Sequence, residues 1–82
     1  MPATVTPETV EAVVTDALAK LGPDPDEIRR EATFEALDVD SLDLAELSQV
    51  VEEAFGVRLK GDDVAAIETV GQAIDLIVAR AA

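Results

Sequence analysis

Apolar residues recur at Val10, Val13, Val14, Ala17, Leu18 and Leu21, with polar residues between them. That spacing is one face of an α-helix. Thr6 can cap its start, Pro7 suits the first helical position and Glu8 the positive end of the dipole, while Gly22-Pro23 stops it. The pattern then thins. From Gly22 to Asp40 only Ile28, Phe34 and Leu37 stand out, behind Pro23 and Pro25. So long a connection is unusual in a small domain. We expect an ordered loop pinned to the core by those three side chains, with room for a short helix around Asp26 to Arg30. Periodicity resumes from Ser41 to Phe55, with Gly56 as the stop. Leu44, Leu47, Val50, Val51, Ala54 and Phe55 share one arc when wound at about 100° per residue, and that arc is the expected core face. Val57 and Leu59 form a short extended link, and Gly61-Asp62-Asp63 opens a brief helical turn through Val64 and Ile67. Thr69-Val70-Gly71-Gln72 matches a capping box, and Val70, Ala73, Ile74, Ile77 and Val78 give the last apolar face. The sum is an all-α chain, a small four-helix bundle of three longer helices and one short one, in a single domain spanning residues 1–82.

Composition agrees with helices. Hydrophobic residues make up 49% of the 82, but the only aromatics are two Phe, so Val, Leu, Ile and Ala must build the core. Charge changes the picture more. Eighteen acidic residues against six basic give a net charge of −12. Such a surface repels phosphate backbones, so nucleic acid and anionic membrane are poor partners, and proteins with basic patches are better ones. No Lys or Arg occurs from Glu31 to Val57, where eight carboxylates fall. Without Cys there are neither disulfides nor thiolate metal sites. The start lacks the basic and apolar regions of a secretion signal, and no apolar run approaches the ~20 residues that span a bilayer. These features point to a cytoplasmic protein that does not insert into membranes.

The carboxylates surround a serine, in Asp40-Ser41-Leu42-Asp43. A nucleophilic serine needs a base in hydrogen-bond reach and a stabilised oxyanion. The chain has no His, neither Lys20 nor Lys60 has helical spacing to Ser41, and adjacent carboxylates disfavour an oxyanion. Catalysis through Ser41 is therefore not expected. An EF-hand loop counted from Asp38 fails at its fifth and sixth positions, which are Leu42 and Asp43, so no dedicated metal site is assigned. Two readings stay open. Ser41 can simply cap the second helix. It can also be a target, since amides and dipole at a helix start favour a phosphate-linked group on its hydroxyl. Leu42 falls off the core arc, on the side of Ala45 and Gln49, with Glu46, Glu52 and Glu53 around them. An apolar spot rimmed by carboxylates suits a docking surface.

The run Asp40-Ser41-Leu42-Asp43 resembles the attachment motif of acyl carrier proteins. The likeness extends over nearly the whole chain: an amphipathic helix, a long loop, Asp-Ser-Leu opening an acidic helix, Glu46-Leu47, Val51 to Phe55, Val57, the Asp62-Asp63 turn and Thr69-Val70. The resemblance implies that Ser41 receives 4'-phosphopantetheine from coenzyme A through a separate magnesium-dependent phosphopantetheinyl transferase, with Asp40 beside the attachment point. The thiol of the arm would carry acyl groups, supplying the sulfur this cysteine-free chain lacks. Leu42, Asp43, Ala45, Glu46, Gln49, Glu52 and Glu53 would meet basic patches on acyl transferases, ketosynthases and other synthase enzymes. The core between the helices would shelter part of the acyl chain.

Two positions depart from the family pattern. Many carriers have glycine where this chain has Asp38, and Gln49 stands where many fatty-acid carriers have an apolar contact. Both leave the choice between fatty-acid and polyketide partners open. A peptidyl carrier is disfavoured, since its second helix is usually less acidic. The expectation is a discrete, monomeric, non-catalytic carrier working with enzymes in trans. The alternative is an unmodified acidic adaptor that binds basic proteins through the second helix.

Overall fold

The structure is a computed structural model that describes residues 5–81. The reading of the chain start as free of a secretion signal, and the two ends of the predicted domain, lie partly outside these residues. Among the described residues four helices follow one another, α1 (Pro7–Lys20), α2 (Ser41–Phe55), α3 (Gly61–Ala66) and α4 (Val70–Ala81), with one 3-10 turn at Pro25–Glu27. Three are long and one is short, as the periodicity predicts. The start of α1 is local chemistry. The Thr9 amide donates to the Thr6 hydroxyl, with Pro7 at the first helical position. Gly56 ends α2 in the left-handed region at φ +70°, a conformation open to glycine without a Cβ clash.

The core joins three stripes. Val10, Val14 and Leu18 come from α1, Leu47, Val51 and Phe55 from α2, and Val70, Ala73, Ile74 and Ile77 from α4. The first two stripes repeat every fourth residue, the spacing at which side chains stack on one helix face. The closest pairings are α1 with α4 and α1 with α2, so α1 is the shared wall. No residue of α3 is fully buried.

The connection from α1 to α2 supplies Ile28, Phe34, Leu37 and Val39 to the core, all under 9% exposed. The three predicted anchors do pin it, and Val39 joins them. The predicted short helix shrinks to the 3-10 turn at Pro25–Glu27, one residue upstream of its expected start. The loop also clasps α4. The Val70 amide donates to the Ala32 carbonyl at 3.0 Å and the Gly71 amide to the Arg30 carbonyl at 2.8 Å. An antiparallel bridge pairs Thr33 with Thr69, and the Phe34 amide donates to the Glu68 carbonyl. Gln72 accepts from the Glu68 and Thr69 amides while its own amide donates to Thr69 Oγ1, which realises the predicted box. Loop carbonyls and side chains thus satisfy the amides that a helix start otherwise leaves unpaired. Arg30 further pairs with Asp75 at 2.9 Å, and this partner raises the guanidinium above its ordinary value.

One core assignment is corrected. Val50 is 38% exposed. It sits on the rim of the α1–α2 seam with Val13, Ala17 and Leu21, where periodicity had put it inside. Periodicity finds the centre of an apolar arc. How much of its width is covered depends on the neighbouring helix.

Candidate functional site

Ser41 is held at the first position of α2 by its neighbours. The Asp43 amide donates to the Asp40 carboxylate at 3.0 Å, and the Asp40 amide donates back to the Asp43 carboxylate at 3.3 Å. This reciprocal box is built from two aspartates. Asp40 is therefore the cap, and the reading of Ser41 as the capping residue is overturned. The Asp40 carboxylate, one residue earlier, takes the Asp43 amide that a capping Ser41 could otherwise use. The Ser41 side chain is exposed, and among the described residues its hydroxyl has no hydrogen-bond partner. The box occupies the Asp40 and Asp43 amides. Those of Ser41 and Leu42 stay free beside the hydroxyl.

The approach to Ser41 is equally fixed. Leu37 and Val39 are both 7% exposed and anchor the chain on either side of Asp38. Between them Asp38 adopts φ +58°, the sole non-glycine residue in the left-handed region among those described. The Val39 amide donates to the Phe34 carbonyl at 2.9 Å, closing this turn. Left-handed backbone costs most residues about 1–2 kcal/mol, and Asp tolerates it better than most. The position that departs from the family pattern is thus the one where glycine's freedom is useful.

The outward face of α2 is as predicted. Leu42 is 76% exposed. Ala45, Glu46, Gln49, Glu52 and Glu53 are exposed along the same stripe, while Asp43 is half-buried by its part in the box. On the other side of Ser41 opens a groove of about 660 Å³. Val39, Leu44, Leu59, Val64 and Ile67 give it apolar walls. Ser48 also lines it, but its hydroxyl donates to the Leu44 carbonyl at 2.9 Å and so presents little unmet polarity. Lys60 lies on this groove with Ser41, nineteen positions away in sequence. Helical spacing had set Lys60 aside; the turn into α3 puts it on the same groove as Ser41. The Lys60 amide donates to the Asp63 carboxylate, which also accepts from Arg80. These donors hold the Asp63 carboxyl below its ordinary value, the Lys60 amide contributing most.

A family profile described as phosphopantetheine attachment site matches residues 8–77. The chain is 45% identical over 60 residues to an acyl carrier protein of Rubrobacter xylanophilus, covering 72% of this chain and 74% of the relative. It is 42% identical over 71 residues to one from Nitratidesulfovibrio vulgaris, covering 85% and 90%. A third, from Thermosynechococcus vestitus, is 39% identical over 71 residues, covering 85% and 84%. The chain belongs to the acyl carrier protein family. Its cofactor is accordingly covalent 4'-phosphopantetheine.

The geometry fits such a group. A phosphodiester linkage needs an accessible hydroxyl with room around it and nothing that must first be broken. Ser41 offers an exposed hydroxyl without an internal partner, two free amides beside it and a groove opening at its side. Leu59, which patterning placed in an extended link, and Lys60, which helical spacing had set aside, are groove residues as well. No local signal joins them to Ser41, because they share its groove only through the fold.

Proposed function

We propose that Ser41 is the attachment point of the cofactor and that the chain is a carrier without catalysis of its own. The observation that carries this is the exposed, unpartnered Ser41 hydroxyl at the start of α2, beside free amides and at the mouth of an apolar groove. Asp40 holds the helix start and so fixes the backbone from which that hydroxyl projects. In the transfer, Ser41 Oγ loses its proton to a base on a phosphopantetheinyl transferase, with magnesium supplied there. It bonds to the coenzyme A phosphorus proximal to pantetheine, and the pyrophosphate bond to the departing nucleotide breaks. When bound, the arm supplies a thiol that carries acyl groups as thioesters. The chain contains no His or Cys to do chemistry on them.

Leu42 and the stripe of Ala45, Glu46, Gln49, Glu52 and Glu53 then form the docking face, with Asp43 at its edge. Acyl transferases, ketosynthases and related enzymes with basic patches meet it in trans, during fatty-acid or polyketide synthesis in the cytoplasm. Among the described residues no helix is long and apolar enough to cross a membrane. A face of uniform negative charge speeds encounter with basic partners and separates copies of the chain, which favours a monomer.

Intact mass spectrometry after incubation with coenzyme A, magnesium and a broad-specificity transferase tests the attachment. The expected result is one phosphopantetheinyl mass gain that Ser41→Ala abolishes. No gain leaves the acidic-adaptor alternative standing, and a gain that survives the substitution overturns attachment at Ser41.

A further inference from the structure

A phosphodiester on Ser41 enters a strongly negative neighbourhood. Asp40 and Asp43 flank it, and from Glu31 to Val57 the sequence offers no cation. Free amides and the helix dipole help, but the like charges remain. Of the six basic residues, Lys20, Arg30 and Arg80 are paired with carboxylates. Arg29 donates to the Asp26 carbonyl. Among the described residues Arg58 and Lys60 have no carboxylate within ion-pairing distance, and of these two Lys60 lines the groove that Ser41 also lines. Its backbone is fixed there by the bond to Asp63 at 3.1 Å, while its long side chain is free to follow an arriving anion.

We infer that Lys60 is a positioning residue for the cofactor arm, pairing with its phosphodiester and turning it into the groove between α2 and α3. This rests on attachment at Ser41. The neutral pantoyl part of the arm then runs past Leu59 towards Val64 and Ile67, which are half-buried and present apolar surface. Without the pairing, repulsion from Asp40 and Asp43 leaves the arm in solvent. The charge is single and exposed, so the bias is modest, and salt weakens it.

The test uses the full chain, with loading checked by intact mass. In isotope-labelled holo protein at low salt, nuclear Overhauser contacts are read between the geminal methyls of the arm and the methyls of Val64 and Ile67. The wild type shows them. Lys60→Gln lowers their intensity roughly two- to five-fold, the size an exposed ion pair carries. Lys60→Arg retains them, and about 1 M salt brings the wild type down to the Lys60→Gln level. Loaded protein with the same contacts in Lys60→Gln, or without contacts in the wild type, overturns the inference and leaves attachment intact. If the contacts depend on Lys60 only when the thiol carries a malonyl group, the lysine serves a cargo carboxylate and the phosphodiester assignment is wrong. A chain that gains no mass at Ser41 sinks both readings.

Discussion

Helices α2 and α4 are built from similar material and used in opposite ways. Helix α4 buries Val70, Gly71, Ala73, Ile74 and Ile77 within twelve residues. Its first amides are taken by carbonyls of a loop some forty positions earlier. Helix α2 buries only Leu47, Val51 and Phe55 within fifteen, and it caps itself with Asp40 and Asp43. The first helix is a keystone whose ends belong to the rest of the molecule. The second is self-contained at its N-terminus, which leaves its outer face and Ser41 free of structural duty. The face proposed to meet partners therefore lies on the side of α2 that does not hold the fold together.

Substitutions should separate the two. The largest effect belongs to Ile74→Ala, at a side chain with no exposure. Urea denaturation should show a loss of about 2–5 kcal/mol, a large share of the total stability of a small domain. Gly71→Ala comes next. The added Cβ would stand 3.0 Å from the Arg30 carbonyl oxygen, which is backbone and cannot rotate away. Alanine's helix propensity returns up to about 1 kcal/mol and overpacking costs about 1–3 kcal/mol, so a net loss on the order of 1 kcal/mol is expected. Amide exchange should quicken at Val70 and Gly71, where the clasp opens.

Asp40→Ala removes the self-made cap and should cost about 1 kcal/mol. Its exchange signature should be confined to the first turn of α2, with α4 unchanged. Spread into α4 would break the comparison. Asp38→Gly should stabilise by about 0.5 kcal/mol by relieving left-handed backbone, read from the same denaturation curves. The smallest stability effect belongs to Leu42→Ala, within about 0.5 kcal/mol. Turnover by a partner enzyme should nevertheless fall, most clearly at low salt. Loss of stability with unchanged turnover would move Leu42 from the docking face into the fold.

How far the sequence could be read follows from the range of each interaction. The three long helices were legible because their signals lie within a turn or two: Thr6 and Pro7, Gly56, and Thr69 with Gln72. Leu42 was legible because it falls off an arc that the same helix defines. Ser41 drew attention for the same local reason, but the capping role of Asp40 did not show, because two candidate caps stand side by side and only geometry shows which one bonds. Val50 was misplaced because covering it depends on α1. The clasp on α4 was invisible because a carbonyl carries no sequence identity.

The sequence alone determined the helices, their order, the apolar stripes and the concentration of negative charge around a serine without a base. Each of these follows from residues within about one or two helical turns of each other. Only the tertiary structure decided that the long loop caps α4, that Asp38 takes left-handed backbone, and that Lys60 shares a groove with Ser41. Those outcomes depend on where packing against α1 leaves the ends of the other elements. Distance along the chain gives no measure of that.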